Sequence, residues 1–265
     1  MSNNLPVITN PTINLPALTN PQEVMEILEE NMAGATPEFP RVKIPSGGGI
    51  AFEVPGDNPD EPDSVKELEG VVLDHYPVNA YWARKFTGEN NPPDCASLDG
   101  KIGQAPQNSP VPWAGGIQDC KTCPFNQWGS AKDEAGNSTN GKACKNMHRI
   151  YLLRENEIFP VLVTLPPTSV PHWTAYTARL SGKLLRFYGV VTKIKLKKAK
   201  NKGGIEYSEA VFGKSKDLTP EEVAAMKELS LSLRAAMRNV TIDVTDYNTT
   251  DSAGAPAGTA DEAIM

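Results

Sequence analysis

Four cysteines carry the most specific chemistry in this chain. They are Cys95, Cys120, Cys123 and Cys144, and the 265 residues contain no others. Cys120 and Cys123 form a C-x2-C pair; Cys95 lies 25 residues before it and Cys144 lies 21 after. A two-residue gap lets two sulfurs address one ion, and structural zinc takes four Cys or His ligands in a tetrahedron. The surrounding window is rich in Gly, Pro, Asn, Asp and Ser. Such a segment has too few large apolar groups to offset its ordering entropy. The expectation is a structural zinc ion on these four thiolates, with His148 as a reserve ligand. Two disulfides, unliganded thiols and a redox pair are the alternatives. The chain starts Met1-Ser2-Asn3-Asn4, without the basic and apolar runs of a secretory signal. A cytosolic chain keeps its thiols reduced, which favours zinc. A catalytic zinc needs an open position and a placed acid or base. Base deaminases supply these with H-x-E and P-C-x-x-C. None of the three histidines here has Glu two residues later. The metal reads as a staple, and no residue reads as catalytic.

A second chemistry is basic. Residues 186–202 hold seven basic side chains and no acidic one. In the run Tyr188–Lys198, period two puts Val190, Thr192, Ile194 and Leu196 on one face and Lys193, Lys195 and Lys197 on the other. Lys198, Lys200 and Lys202 continue toward a turn at Asn201-Lys202-Gly203-Gly204. Lysines in such a row can track phosphates, and aromatic side chains can stack on unpaired bases. Tyr81 and Trp82, followed by Arg84 and Lys85, are candidates, as are Tyr207 and Phe212 on the returning strand. The alternatives are a solvated edge strand kept from aggregating by lysine, and aromatics that belong to the core.

The elements that must position these residues are mostly short strands. Residues 1–20 carry too much proline for a regular period and read as an extended arm. A helix follows, with Asn20 as N-cap, Pro21 at its first position, Glu23 in a capping box and Gly34 at its end. Residues 41–54 read as a hairpin, Arg41–Ile44 against Ile50–Val54. Strands are expected at 70–76, 149–153, 159–165, 188–198 and 205–212. A second helix starts at Ser169, with Val170, Trp173, Tyr176, Thr177 and Leu180 on its apolar face. A third starts at Thr219-Pro220-Glu221-Glu222, a capping box with Pro at the first position. Residues 241–265, poor in large apolar groups, read as a disordered acidic tail.

Charge is distributed unevenly. The net is −10 over residues 1–80, +2 over 81–150, +7 over 151–240 and −5 over 241–265. A basic region between acidic ends suggests a polyanion partner. On charge alone the tail can mask the basic surface. No window approaches the ~20 apolar residues of a membrane span, so the expectation is a soluble, cytoplasmic protein. The 23 prolines and 21 glycines imply many loops. Acidic residues are numerous at 57–63 and 67–74 but show no metal-pair spacing, so an enzyme is not expected.

The run Pro92-Pro93-Asp94-Cys95, Cys120-Lys121-Thr122-Cys123-Pro124-Phe125-Asn126-Gln127-Trp128-Gly129-Ser130 and Gly141-Lys142-Ala143-Cys144-Lys145 resembles a family of phage and mobile-element proteins. The likeness continues in Leu165-Pro166-Pro167-Thr168-Ser169 and Asn201–Tyr207, and covers roughly residues 65–230. The family is one of zinc-containing single-stranded DNA-binding proteins of replication and recombination. The resemblance implies an OB-like fold with a zinc lobe, in a host bacterium's cytoplasm if phage-encoded. An acidic, apolar-tipped tail such as Asp261-Glu262-Ala263-Ile264-Met265 resembles those that recruit replication or recombination proteins, though it lacks their terminal Pro-Phe. The full expectation is a mostly β (α+β) chain: an arm at 1–20, an OB-like nucleic-acid-binding barrel at 21–240 with a zinc lobe at about 92–148 and a few flanking helices, and a tail at 241–265. Its function would be to bind and protect single-stranded DNA with little sequence preference. A phage structural or adaptor protein docking through the lobe is the alternative, and a nucleic-acid processing enzyme a further one.

Overall fold

The computed structural model describes residues 7–33, 35, 38–56, 58, 61–83, 92–133, 135–201, 204–242 and 246. In chain order the elements are α1 (Pro16–Thr19), α2 (Pro21–Met32), β1 (Arg41–Val42), β2 (Phe52–Val54), β3 (Asp63–Val65), β4 (Glu67–Tyr81), β5 (Cys95–Ser97), β6 (Ile102–Gln104) and β7 (Ile117–Asp119). They continue with β8 (Lys145–Arg154), β9 (Val161–Leu165), α3 (Val170–Ser181), β10 (Val190–Lys200), β11 (Glu206–Asp217) and α4 (Pro220–Arg238). Mostly β with few helices, the chain is of the α+β kind. Among the described residues nine strands share one mixed sheet, and β2 and β3 form a separate pair. No helix among them is long and apolar enough to cross a membrane.

β4 is the spine. Along Gly70–Ala80 it pairs antiparallel with β8. Its other edge takes β10 at Glu67–Val71 and β5 at Asn79–Tyr81. Its central residues are buried on both faces, which is why it reads as a continuous apolar run. Gly70 is required by close approach: a Cβ there would lie 2.3 Å from the Leu153 carbonyl oxygen of β8. Pro77 is tolerated because only β8 flanks the strand at that register.

Two clusters of apolar side chains cover the two faces. One is centred on α3. Trp173, Tyr176 and Leu180 pack with Ile150, Leu152, Val163, Leu165, Ile194 and Phe212. The other lies under α1 and α4, where Leu15, Leu18, Met226 and Met237 meet Val71, Leu73, Tyr151 and Leu153. Ser169 stands at the cap position of α3 as predicted, yet its hydroxyl accepts from Ala210 N–H of β11 (2.9 Å), closing that strand's outer edge. The predicted capping box of α4 forms in full between Thr219 and Glu222.

Several expectations need correction. The arm is not simply extended: Pro16–Thr19 turn into a helix, and Ile13, Leu15, Ala17 and Leu18 are buried. Apolar residues spaced by proline can enter a core without a regular period. The hairpin at 41–54 survives only as one bridge, Lys43 to Glu53; β1 instead joins β9 in parallel and β2 joins β3. Asn20 bonds the Glu23 carboxylate instead of capping α2, and Gly34 lies outside the described residues. The body also runs past 240: Ile242 and Asp246 are buried, because a buried arginine, described below, needs a counter-charge. The remaining tail residues, 243–245 and 247–265, lie outside the described residues.

Glu222 does more than cap. It is fully buried, and both its oxygens also hold Thr12, one from the backbone N–H and one, at 2.7 Å, from the hydroxyl. Replacing Glu222 with Ala removes the acceptor of three donors. The expected loss is roughly 2–4 kcal/mol of stability, read by urea titration. Proteolysis before residue 16 should rise with it; unchanged protection would refute the anchoring role.

Candidate metal and nucleic-acid site

The cysteine segment extends the main sheet instead of leaving it. β5 adds to the end of β4 with Cys95 opposite Tyr81, and β6 and β7 add in turn. Cys120 follows β7 directly, Cys123 heads a single 3-10 turn over Pro124–Asn126, and Cys144 precedes β8. Hydrogen bonds hold Cys120 and Cys144 in place. Cys120 N–H donates to Lys101 O (2.7 Å), its carbonyl accepts from Asn126 Nδ2 (2.7 Å), and Cys144 N–H donates to Phe125 O (2.8 Å).

The four cysteines line one cavity of about 10 Å³, together with Trp113 and Phe125. All four are thiols. A Cβ on Gly103 would lie 2.8 Å from Cys95 Sγ and 3.8 Å from Cys120 Sγ, so those two sulfurs flank one point. Burial pushes the Cys95 and Cys144 thiols upward, and the neighbouring sulfurs add to it. The Trp113 indole acts in the opposite direction on Cys95, although its N–H falls short of hydrogen-bond geometry. Four thiols, three of them buried and Cys95 half-buried, with no carboxylate among them form a soft donor set suited to zinc. Among the described residues no three Cys, His, Asp or Glu side chains already stand at coordinating geometry. Sulfur must come to about 2.3 Å of an ion, so an ion would have to draw these four inward.

His148 does not line this cavity. Its Nε2 shares a hydrogen bond of 2.9 Å with His75 Nδ1, and both rings pack on Trp173. In this structure His148, named as the reserve ligand, is half-buried and engaged with His75 and Trp173 instead of the thiols.

The lysine row follows the predicted parity, with Ile194 and Leu196 buried and Lys195 and Lys197 exposed. It is not a bare cationic strip. Lys193 bridges to Glu67 (3.1 Å) and Glu69 (3.2 Å), Lys195 to Glu67 (3.1 Å), and Lys197 to Glu209 (2.8 Å). Lys198 and Lys200 both pair with Glu206. Hydrogen bonds from Lys195 and Lys193 hold the Glu67 carboxyl below its usual range. Exposed pairs of this kind contribute little stability, but they match positive charge with negative.

The aromatic candidates divide. Phe212 is core, buried against Trp173 and Tyr176, and offers no face to a base. Tyr81 already stacks on Phe125 with ring centres 4.2 Å apart. Tyr207, half-buried, donates to Glu209 (3.1 Å), and Trp82 packs partly against the α4-side core. Arg84, Lys85 and Lys202 lie outside the described residues. The platform missed among the candidates is Trp128, 53% exposed on the lobe, with Lys142 Nζ 5.0 Å from its ring centre. Its sequence signal is a large ring among Gln127, Gly129 and Ser130, where no apolar period demands one.

Comparison with protein-family models, with curated proteins and with solved structures finds no match. The site is therefore read on its own chemistry.

The histidine pair makes a pH prediction. Burial lowers both, His148 to about 3, with His75 adding to the effect on His148. The unfolded chain takes up these protons below about 6.5, so it binds more protons than the fold in that window. Stability is then fully present above pH 6.5 and falls as pH drops from 6.5 toward 3. His148→Gln should flatten this slope in denaturant titrations at stepped pH; an unchanged slope would refute the assignment.

Proposed function

We propose that this chain is a zinc-stapled protein that binds single-stranded DNA with little sequence preference. The observation that carries the reading is the order of elements. β4, β8, β9, α3, β10 and β11 follow the strand-strand-strand-helix-strand-strand plan of an OB fold, read here as a partly open barrel. β9 and β11 share no backbone pairing, and Trp173, Phe52 and Phe212 fill the space among the strands. OB folds hold oligonucleotides on the face of their second and third strands and with the loops after strands one and four. In this chain the loop after the first barrel strand is the thiol-lined lobe, and the loop after the fourth is the tip of the lysine hairpin. The zinc ion would be held by Cys95, Cys120, Cys123 and Cys144 and would supply folding energy, not chemistry. Trp128 with Lys142 offers a stacking surface, and Lys121 and Lys132 are exposed on the same lobe. A role in phage DNA replication or recombination, in a bacterial cytoplasm, comes from the resemblance alone. The tail tip that would recruit other proteins lies outside the described residues.

Ile102 and Ile117 favour a second reading, docking of a protein partner. They share one face of the lobe sheet and are 41% and 67% exposed.

The test joins metal analysis to binding. One zinc per chain is expected, lost together with lobe structure in Cys123→Ser. Fluorescence anisotropy with a mixed-sequence oligonucleotide should give binding that weakens steeply with salt and resists duplex competitor. Trp128→Ala should weaken it about tenfold. Salt-insensitive binding, or a preference for duplex, would sink the reading, and binding only of a protein partner would favour the second.

A further inference from the structure

Arg149 of β8 has no exposure at all. A charged side chain is almost never buried so completely unless paired. Its partners come from the far end of the chain: the carbonyls of Val240 (2.5 Å) and Thr241 (2.7 Å), and the Asp246 carboxylate (2.7 Å). Arg41 reaches the same Asp246 oxygen at 2.7 Å. Thr164 donates to the other at 2.6 Å. The three contributors share one face, since Arg149 pairs with Thr164 across β8 and β9 and Arg41 follows on β1.

Two guanidiniums and a hydroxyl thus converge on one carboxylate. This is a donor set suited to phosphate, which planar guanidinium forks match well. One donor of the set is left over: Arg149 Nε–H is buried and has no acceptor among the described residues. A phosphate group presents more acceptor oxygens than a carboxylate. We propose that Arg41, Arg149 and Thr164 form a phosphate-binding site, filled in this chain by its own Asp246. The ligand class is a phosphate anion, either free or as the phosphodiester of a nucleic-acid strand. The site lies on the face of β8 and β9 away from α3, beside the cluster that α1 and α4 cover; the phosphodiester source rests on the proposed function, the free-phosphate source does not. A tethered carboxylate acts at millimolar effective concentration. An external phosphate therefore enters when that carboxylate is neutralised or lifted.

The test is anion rescue of Asp246→Asn in the full chain. The variant should melt roughly 10 °C below the parent, since it leaves buried cations unmatched. Sodium phosphate on the order of 10 mM should recover about half of that loss, saturably, whereas sodium chloride at equal ionic strength should not. Should the variant fail to fold in plain buffer, refolding in phosphate but not in chloride is the supporting outcome. Equal behaviour in the two salts overturns the proposal. An anisotropy arm separates the sources. Tighter oligonucleotide binding by Asp246→Asn, about tenfold, assigns the site to phosphodiester; unchanged binding with phosphate rescue assigns it to free phosphate. Absence of oligonucleotide binding by both chains would count against the proposed function and leave the melting comparison to decide this site.

Discussion

A strand of 15 residues presents more backbone than any one neighbour here can pair, and buried backbone groups must find partners. β4 meets this constraint piecewise. β8 takes one edge along most of its length. The other edge is closed by β10 at the start and β5 at the end, and in between Ser230 of α4 donates to the Leu73 carbonyl. Each device brings its own part of the molecule into place: the lysine hairpin, the cysteine lobe and the long helix. The two candidate surfaces therefore stand at opposite ends of one strand, at a spacing fixed by its rigidity.

The same long helix is finished by the sheet beneath it. The carbonyl of Met237, near its end, accepts from the hydroxyls of Tyr76 and Tyr151. Arg238 clasps Asp74 through two bonds, at 2.8 and 3.1 Å. Helix ends leave carbonyls without internal partners, and positive charge is favoured there. The phenols of the sheet supply the donors, and Arg238, the helix's own last residue, supplies the charge. Polar groups in this face are thus not defects in an apolar core; they join α4 to β4 and β8.

What the sequence made legible was local. The alternation that buries Ile194 and Leu196 and the Thr219 capping box each sit within a dozen residues, and each formed. What it hid depended on distant partners. Nothing near Lys193 announces Glu67 and Glu69, which reach it only because β4 and β10 pair in one register. Nothing around Arg41 foretells a parallel partner at Leu162. The apolar residues of the proline-rich arm carried no period, so their burial could not be read. Trp128 was visible as a ring outside any apolar period, but its exposure rests on how the lobe folds. The lysine row teaches a related lesson: a run of one charge in sequence is not a field of one charge in space. A polyanion approaching that face must compete with carboxylates already seated there.

The bond between Thr12 and Glu222 spans 210 positions. Its consequence concerns time. A chain leaves the ribosome from its N-terminus, at about 5–20 residues per second. The arm is made before its anchor, which emerges 210 positions later. Until then Ile13, Leu15 and Leu18 have no α4 to pack beneath, and the sheet they cover stands open on that side. Contacts so distant along the chain are slow to form. The arm precedes its anchor by so much chain that it settles late, and a nascent chain must keep its apolar residues from other company while it waits.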